Sequence, residues 1–164
     1  MRYFFVLMVA LFIFSASGTS NAQISLNLNF NIDTQPAWGP TGYDYVENYY
    51  IPDLDIYYNV PLHRYYYYNN GRWRYSSNLP SRYRSYNFYN TYKVVVNDKD
   101  PWKNHNKYKK EYLKYKGNHD QKVIRDSRDS KYFKNKNHPE HNNWVKKQKQ
   151  VKGKKKDKVK GKNK

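Results

Sequence analysis

The chain has 164 residues, contains no cysteine and carries a formal net charge of +18. Without thiols it cannot form disulfides, cysteine-ligated metal sites or a cysteine nucleophile. The positive charge is confined to one part of the chain, because residues 23–100 contain seven basic and seven acidic side chains, whereas residues 101–164 contain 23 and six. A partner selected by charge is therefore expected to bind residues 101–164.

The first 22 residues have the layout of a secretory signal peptide. Arg2 supplies the positive start, residues 3–14 form an unbroken apolar run, and Ser20-Asn21-Ala22 places small side chains before a cleavage point. The apolar run is shorter than the roughly 20 residues that a helix needs to cross a bilayer. We therefore predict cleavage after Ala22, a mature chain without a transmembrane segment, and a secreted or periplasmic location.

Residues 23–100 are predicted to form a small tyrosine-rich β module. Apolar and polar residues alternate from Ile24 to Ile32, which is the period of a half-buried strand. Proline and glycine mark residues 34–42 as a loop, in which Trp38 is expected to fold back on the core as a lid. The other expected strands are residues 54–60, the two arms of a hairpin, and residues 92–96. Together they predict an antiparallel sheet of four or five strands.

A hairpin around Asn70-Gly71 is the clearest local feature of this module. Asn-Gly is a strong hairpin signal because both residues tolerate positive φ. With a two-residue loop, one face of the hairpin carries only aromatic side chains, and the other mixes tyrosines with arginines. We expect the aromatic face to pack in the core and the hairpin to be central to the sheet. The aromatic face comprises Tyr66, Tyr68, Trp73 and Tyr75.

The C-terminal half follows a different pattern. Residues 101–117 are predicted to form a basic amphipathic helix, because Asp100 is a suitable N-cap, aromatic residues recur at helical spacing and Gly117 can end the helix. Residues 118–145 have few apolar anchors and are predicted to be a partly ordered linker. Residues 146–164 contain 11 lysines and one aspartate, so they are predicted to be a disordered tail. The predicted fold is thus mainly β, followed by one or two helices and a disordered basic tail.

Four short segments of the β module carry a family resemblance. They are Ile51–Tyr58, Tyr65–Tyr68, Asn70–Trp73 and Leu79-Pro80. With these segments, residues 49–80 resemble uncharacterised small tyrosine-rich modules of exported Gram-negative envelope proteins. The resemblance implies an envelope or periplasmic setting and transfers no catalytic residue.

The sequence has no pattern typical of a catalytic or cofactor site. It lacks a nucleophile elbow, a phosphate loop and a dinucleotide fingerprint. The segment 138–141 brings two histidines and a glutamate together, but Pro139 interrupts the helix that would direct both imidazoles at one metal ion, which favours a polar turn. Asp53 and Asp55 share a strand face and are expected to be solvated or paired with arginines. We therefore predict a non-catalytic protein that uses no metal or cofactor.

The lysine-rich tail is the strongest interaction signal. A cluster of like charges attracts polyanions by releasing their counterions, so the order of the lysines matters little. The expected partners are anionic envelope components, namely lipid headgroups, lipopolysaccharide or acidic glycans, with nonspecific nucleic acid as a further polyanion. A purely solubilising role is the alternative. The candidate polyanion-binding residues are Lys146, Lys147, Lys149, Lys152, Lys154, Lys155, Lys156, Lys158 and Lys160.

Two other functions remain open for the β module. In the first, the module binds glycans, with aromatic side chains stacked on sugar rings and arginines facing acidic groups. The candidate aromatic platform consists of Tyr65, Tyr67, Arg72 and Arg74, with Trp38 and Trp73 as further stacking residues. In the second, open sheet edges pair with other copies or with other envelope proteins, which would make the protein a structural or assembly component.

Overall fold

The computed structural model of the chain describes residues 30–160. The predicted signal peptide, most of the first predicted strand and the end of the tail lie outside these described residues. The last residues of that predicted strand are described, and they do not form a strand: residues 30 and 31 are irregular, and a turn begins at Ile32. The Ile32 side chain is buried. No helix in the described part of the chain is long and apolar enough to span a membrane.

Five short antiparallel strands form a single sheet. They are β1 (Asn48–Ile51), β2 (Ile56–Asn59), β3 (Arg64–Asn69), β4 (Arg72–Ser76) and β5 (Val94–Val96). The order across the sheet is β4-β3-β2-β1-β5, so the chain builds outwards from β1 and then returns to pair β5 with the other side of β1. Two α-helices follow the sheet. The predicted small antiparallel sheet followed by helices is therefore confirmed.

Tyrosine fills both faces at the centre of the sheet. Every residue of β1 and β2 is buried. Because side chains alternate along a strand, the cross-strand pair Tyr50 and Tyr57 lies on one face, and the pair Tyr49 and Tyr58 lies on the other. The ring supplies buried apolar area while its hydroxyl reaches a polar partner. Tyr49, for example, donates to Gln35 Oε1 at 3.0 Å.

The β3–β4 hairpin lies at one edge of the sheet, so its predicted central position is wrong. Asn70 and Gly71 connect the two strands with φ values of 50° and 75°, and Tyr68 pairs with Trp73. β3 pairs with β2, whereas β4 has no second strand partner among the described residues. The centre of a sheet needs cover on both faces, and the exposed Arg72 and Arg74 suit an edge strand instead.

The N-terminal loop and the segment after residue 117 cover one face of the sheet together. Trp38 lies over this face, with ring centroids 5.5 Å from Tyr49 and 5.2 Å from Tyr58. Ile32, Ile124 and Tyr132 form a small buried cluster beside it. Side-chain and backbone hydrogen bonds then fasten residues 118–140 to the loop, which makes this segment more ordered than the predicted linker. The central example is buried Asn135, which donates to the carbonyl oxygens of Ile32 and Gln35 at 2.7 Å each.

Helix α1 (His105–Tyr112) covers the opposite face. It lies between two 3₁₀ turns, Pro101–Asn104 and Leu113–Tyr115, so only the middle of the predicted helix over residues 101–117 is α-helical. Asp100 does not cap the first turn with its side chain but pairs with Lys103 at 2.8 Å. The aromatic stripe predicted from the spacing faces the sheet. Its contacts include Trp102, which is stacked on Tyr66 with ring centroids 3.7 Å apart, and buried Tyr108.

Helix α2 spans His141–Lys160 and includes most of the segment that was predicted to be disordered. Lysine and glutamine are good helix formers, and the contacts that hold the N-terminal end of this helix offset part of the cost of nucleating it. The first turn is held by a hydrogen bond from the Trp144 N–H to the Glu140 carbonyl, and the His141 imidazole bonds to the Phe133 carbonyl oxygen. The two differ because the low apolar content of this segment predicts disorder, whereas its lysines and glutamines favour a helix.

A close contact at Gly39 tests the packing of the buried tyrosines. A Cβ at Gly39 would lie 2.5 Å from the Tyr49 hydroxyl oxygen, and Tyr49 is fully buried and bonded to Gln35. We expect Gly39→Ala to lower the free energy of unfolding by about 1–3 kcal/mol, as overpacking does. Denaturant unfolding followed by circular dichroism measures this change. Gly153→Ala is the matched control, because a Cβ there meets nothing within 4 Å, and equal effects of the two changes would contradict the packing described.

Alkaline pH should unfold the sheet. Burial raises the pKa of Tyr65 to about 12 and holds the pKa of Tyr49 well above its usual value. An unfolded tyrosine ionises near pH ~10, so above that pH the native state binds more protons than the unfolded state, and stability falls as pH rises. We expect tyrosinate absorption and loss of secondary structure to appear in one cooperative transition above about pH 10. Ionisation of the buried tyrosines in a chain that stays folded would contradict this expectation.

Candidate functional site

The lysines proposed for polyanion binding lie on helix α2. The first five of them, Lys146, Lys147, Lys149, Lys152 and Lys154, are exposed. The other four, Lys155, Lys156, Lys158 and Lys160, belong to the last turns of the same helix. At 100° per residue, the nine positions are spread around the whole helix axis rather than along one stripe. Lysine positions therefore occur on every side of helix α2.

No acidic side chain forms an ion pair with the described lysines of helix α2, from Lys146 to Lys154. The salt bridges between described side chains are Lys103–Asp100, Lys109–Asp55, Arg125–Asp126 and Lys131–Asp44, and none of them involves helix α2. Asp157 is the single acidic residue after Glu140. Lysines three residues apart, such as Lys149 and Lys152, are neighbours on the helix surface and repel each other. An external anion would relieve this repulsion.

The proposed aromatic platform on the β module does not form one exposed surface. Tyr65 is half-buried, with its ring 4.8 Å from that of Tyr58 and 6.1 Å from that of Phe88, so it belongs to the core on the face away from α1. Tyr67 is half-buried on the same face, whereas Arg72 and Arg74 are exposed. Of the four residues, the two arginines are accessible, and the Tyr65 ring is not presented for stacking.

An open cleft on the other face presents aromatic side chains instead. Its volume is about 900 Å³, and it lies between the β1–β2 turn, the β3–β4 hairpin and the start of α1. Tyr68 is 54% exposed at its wall. No local pattern predicts this cleft, because it forms where α1 covers only part of the aromatic face that was expected to pack in the core. The rings that line the cleft are Tyr68, Trp73, Tyr83, Trp102 and His105.

His105 forms part of the floor of this cleft. Its Nδ1 lies 3.2 Å from the Tyr57 hydroxyl oxygen, and its ring meets that of Trp73 edge-on at 4.9 Å between centroids. Burial lowers the pKa of His105 by more than the nearby carboxylate of Asp55 raises it. The imidazole is therefore neutral at neutral pH and offers hydrogen bonds rather than charge.

Asp55 forms the acidic corner of the cleft. The residue has a φ of 54°, which aspartate tolerates in a turn, and this conformation directs the carboxylate towards α1. One carboxylate oxygen accepts a hydrogen bond from the Tyr50 hydroxyl at 2.7 Å, and the other contacts the Lys109 ammonium. Burial raises the pKa of Asp55, but these hydrogen bonds outweigh burial and lower it. Asp55 is thus paired with a lysine rather than with the arginines expected from the sequence.

Asp53 and the histidine segment have structural partners elsewhere. Asp53 accepts hydrogen bonds from the Tyr86 hydroxyl at 2.5 Å and from the Gly117 N–H at 2.6 Å. His138 is buried, with Nε2 3.0 Å from the Ser127 carbonyl oxygen and Nδ1 accepting from the Glu140 N–H at 3.0 Å. This segment is a turn that leads into helix α2. Within residues 30–160, no group of three or more histidine or carboxylate side chains is placed to hold a metal ion.

Comparisons with protein-family models, curated proteins and solved structures found no match for this chain. Its function has to be inferred from its own residues, and the two surfaces that stand out are the cationic helix α2 and the aromatic cleft beside α1.

The Asp55–Lys109 contact at the cleft is expected to contribute to the free energy of unfolding, and this contribution can be tested. Because the folded-state pKa of Asp55 is lowered, its stabilisation is present above the unfolded pKa of about 3.9 and is lost as pH falls through the folded pKa. Asp55→Asn keeps a residue that tolerates positive φ but removes the charge. We expect a loss of less than about 1 kcal/mol at neutral pH, since the pair is partly solvated, shrinking towards zero in acid. A loss that does not depend on pH would assign the effect to packing instead.

Proposed function

We propose that this protein is a non-catalytic, secreted or periplasmic envelope protein that binds anionic surfaces or polymers through its basic C-terminal half. The observation that carries the proposal is the absence of any ion pair on the exposed lysines of helix α2, among the side chains described up to Lys154. Residues 23–100 are neutral overall and residues 101–164 have a net charge of +17. The envelope location is inferred from the predicted signal peptide and from the family resemblance.

The folded body holds one end of the cationic helix. The turn at residues 138–141 is fastened by His138 and His141 to backbone carbonyls of the preceding segment, and buried Asn135 ties that segment to the N-terminal loop. The helix beyond Val145 has only exposed side chains up to Lys154. A cationic helix that is fixed at one end can contact an anionic surface while the β module remains at a distance from that surface.

Binding by this helix should depend on the number of charges. Each lysine close to an anionic surface contributes roughly 1 kcal/mol, and salt screens the attraction. Positive charge all round the helix allows binding in any rotation, so no pocket and no fixed set of contacts is required. Lipid headgroups, lipopolysaccharide, acidic glycans and nucleic acid all offer suitable anions, and the envelope location favours the first three.

Ligand binding should also strengthen the helix. Repulsion between lysines four residues apart destabilises an isolated helix by about 0.2–0.5 kcal/mol per pair. A polyanion that neutralises these charges removes that cost, so helix formation and binding favour each other. We therefore expect circular dichroism to show more helix when a polyanion is added at low salt.

A variant of helix α2 with fewer positive charges tests the proposal. The five exposed lysines at 146, 147, 149, 152 and 154 are replaced by glutamine, which removes the charge and keeps helix propensity. The control replaces the same five by arginine. With a DNA duplex as a calibrated probe, the slope of log affinity against log salt should become shallower by about 0.9 for each phosphate that the glutamine variant no longer neutralises. The arginine variant should keep the slope of the unmodified chain.

Binding to lipid vesicles tests whether the same lysines bind an anionic membrane surface. The unmodified chain and the arginine variant should bind vesicles that contain anionic lipid and not zwitterionic vesicles, and the glutamine variant should bind both weakly. Salt-independent binding by the unmodified chain would overturn the proposal. So would equal affinities of the glutamine and arginine variants, because binding would then not depend on the five exposed lysines of helix α2.

A further inference from the structure

We infer that the cleft beside α1 is a second binding site, and that its ligand is a carboxylated hexopyranose unit of an acidic glycan. The site goes beyond the polyanion surface of helix α2, because it has a defined shape and aromatic walls. It also differs from the platform suggested by the sequence, which lies on the opposite face of the hairpin.

The aromatic walls are exposed because α1 is short. The helix and the turn before it cover β1, β2 and the middle of β3, where Trp102 is stacked on Tyr66. Towards the end of the hairpin this cover stops, which leaves Tyr68 54% exposed and Trp73 half-buried. Nothing else in the described chain covers these rings. Aromatic side chains exposed at the wall of an open cleft of about 900 Å³ are typical of a ligand site.

The geometry of these walls suits a sugar ring better than a nucleobase. The Tyr68 and Trp73 rings meet at 69° and 5.6 Å between centroids, and the His105 and Trp73 rings meet at 70°. Perpendicular walls do not form the parallel slot that a flat base would occupy between two rings. A puckered pyranose can place its C–H face on one ring while its hydroxyl groups reach the adjoining wall.

Polar side chains that match sugar hydroxyl groups surround the aromatic walls. Asn104 and Asn106 are exposed at the edge of the cleft, and each amide can donate and accept hydrogen bonds. Asp55 and neutral His105 add acceptors and a donor on the floor. A few polar groups among aromatic walls give a ligand its orientation and its specificity.

Charge at the cleft favours a carboxylated sugar over a neutral one. Lys103, Lys107 and Lys109 all line the cleft, and Asp55 is the single acidic residue in its lining. Asp55 contacts Lys109 and Asp100 pairs with Lys103, which leaves Lys107 without an acidic partner among the described ion pairs. A carboxylate on the ligand would complete this charge pattern.

Tyr68 and Tyr67 provide a matched test, because they are neighbours on β3 whose side chains point to opposite faces. The probes are an oligosaccharide of galacturonic acid and a neutral oligosaccharide of galactose of the same length, titrated into the full mature chain by calorimetry. We expect the acidic probe to bind more tightly than the neutral one. Tyr68→Ala should weaken acidic-probe binding by about tenfold, Tyr68→Phe should retain most of it, and Tyr67→Ala should leave it unchanged.

Further binding measurements distinguish the cleft from helix α2, and they distinguish recognition at the cleft from simple attraction by charge. At high salt, which screens the charge-driven binding by helix α2, the glutamine variant should keep the affinity of the unmodified chain for the acidic oligosaccharide, so the proposal for α2 can fail while this one stands, and the reverse. Lys107→Gln should reduce the preference for the acidic probe and leave binding of the neutral probe unchanged. Equal losses in Tyr67→Ala and Tyr68→Ala, loss of binding in the α2 variant at high salt, tighter binding of a mononucleotide, or no binding of either sugar would each overturn the proposal.

Discussion

The hydrogen-bonded burial of tyrosine at the centre of the sheet is the constraint on which the rest of this structure depends. Both faces of β1 and β2 carry tyrosine rings, and each buried hydroxyl must find a polar partner close by. The partners come from the parts of the chain that cover the sheet, such as Gln35 for Tyr49 and His105 for Tyr57. The core and its covering loops are therefore specified together. Among the described residues, no buried side-chain nitrogen or oxygen lacks a hydrogen-bond partner.

The same requirement explains why so many polar residues are buried in a small protein. Lys93 is almost fully buried and donates from Nζ to the carbonyl oxygens of Phe88 at 3.0 Å and Thr91 at 2.6 Å. Burial lowers its pKa to about 8. Asn135 holds the N-terminal loop in a similar way. Aliphatic side chains are few, so polar side chains that bond to backbone carbonyls hold the loops against the sheet.

The sequence predicted the type of sheet more reliably than its layout. Alternation and turn signals near β2 and the hairpin are local, and they identified strands without help from distant residues. The edge position of the hairpin depends on β5 returning to pair with β1, which no local pattern reveals. The cleft is harder still, because Asp55, Trp73 and His105 come from three separate segments. The lysines of α2 were found from charge alone, whereas the helix that carries them was not predicted, since its propensity was given less weight than its lack of apolar residues.

These requirements explain why the excess positive charge lies outside the tyrosine-rich sheet. A sheet that buries polar tyrosines cannot also accommodate many unpaired lysines, because each buried charge needs a partner and the module has few acids to spare. Placing the positive charge on a helix that leaves the body at residues 138–141 avoids this conflict. The described lysines of this helix are exposed, so they add no desolvation cost to folding. The exposed lysines of helix α2 and the aromatic cleft therefore lie in different parts of one chain.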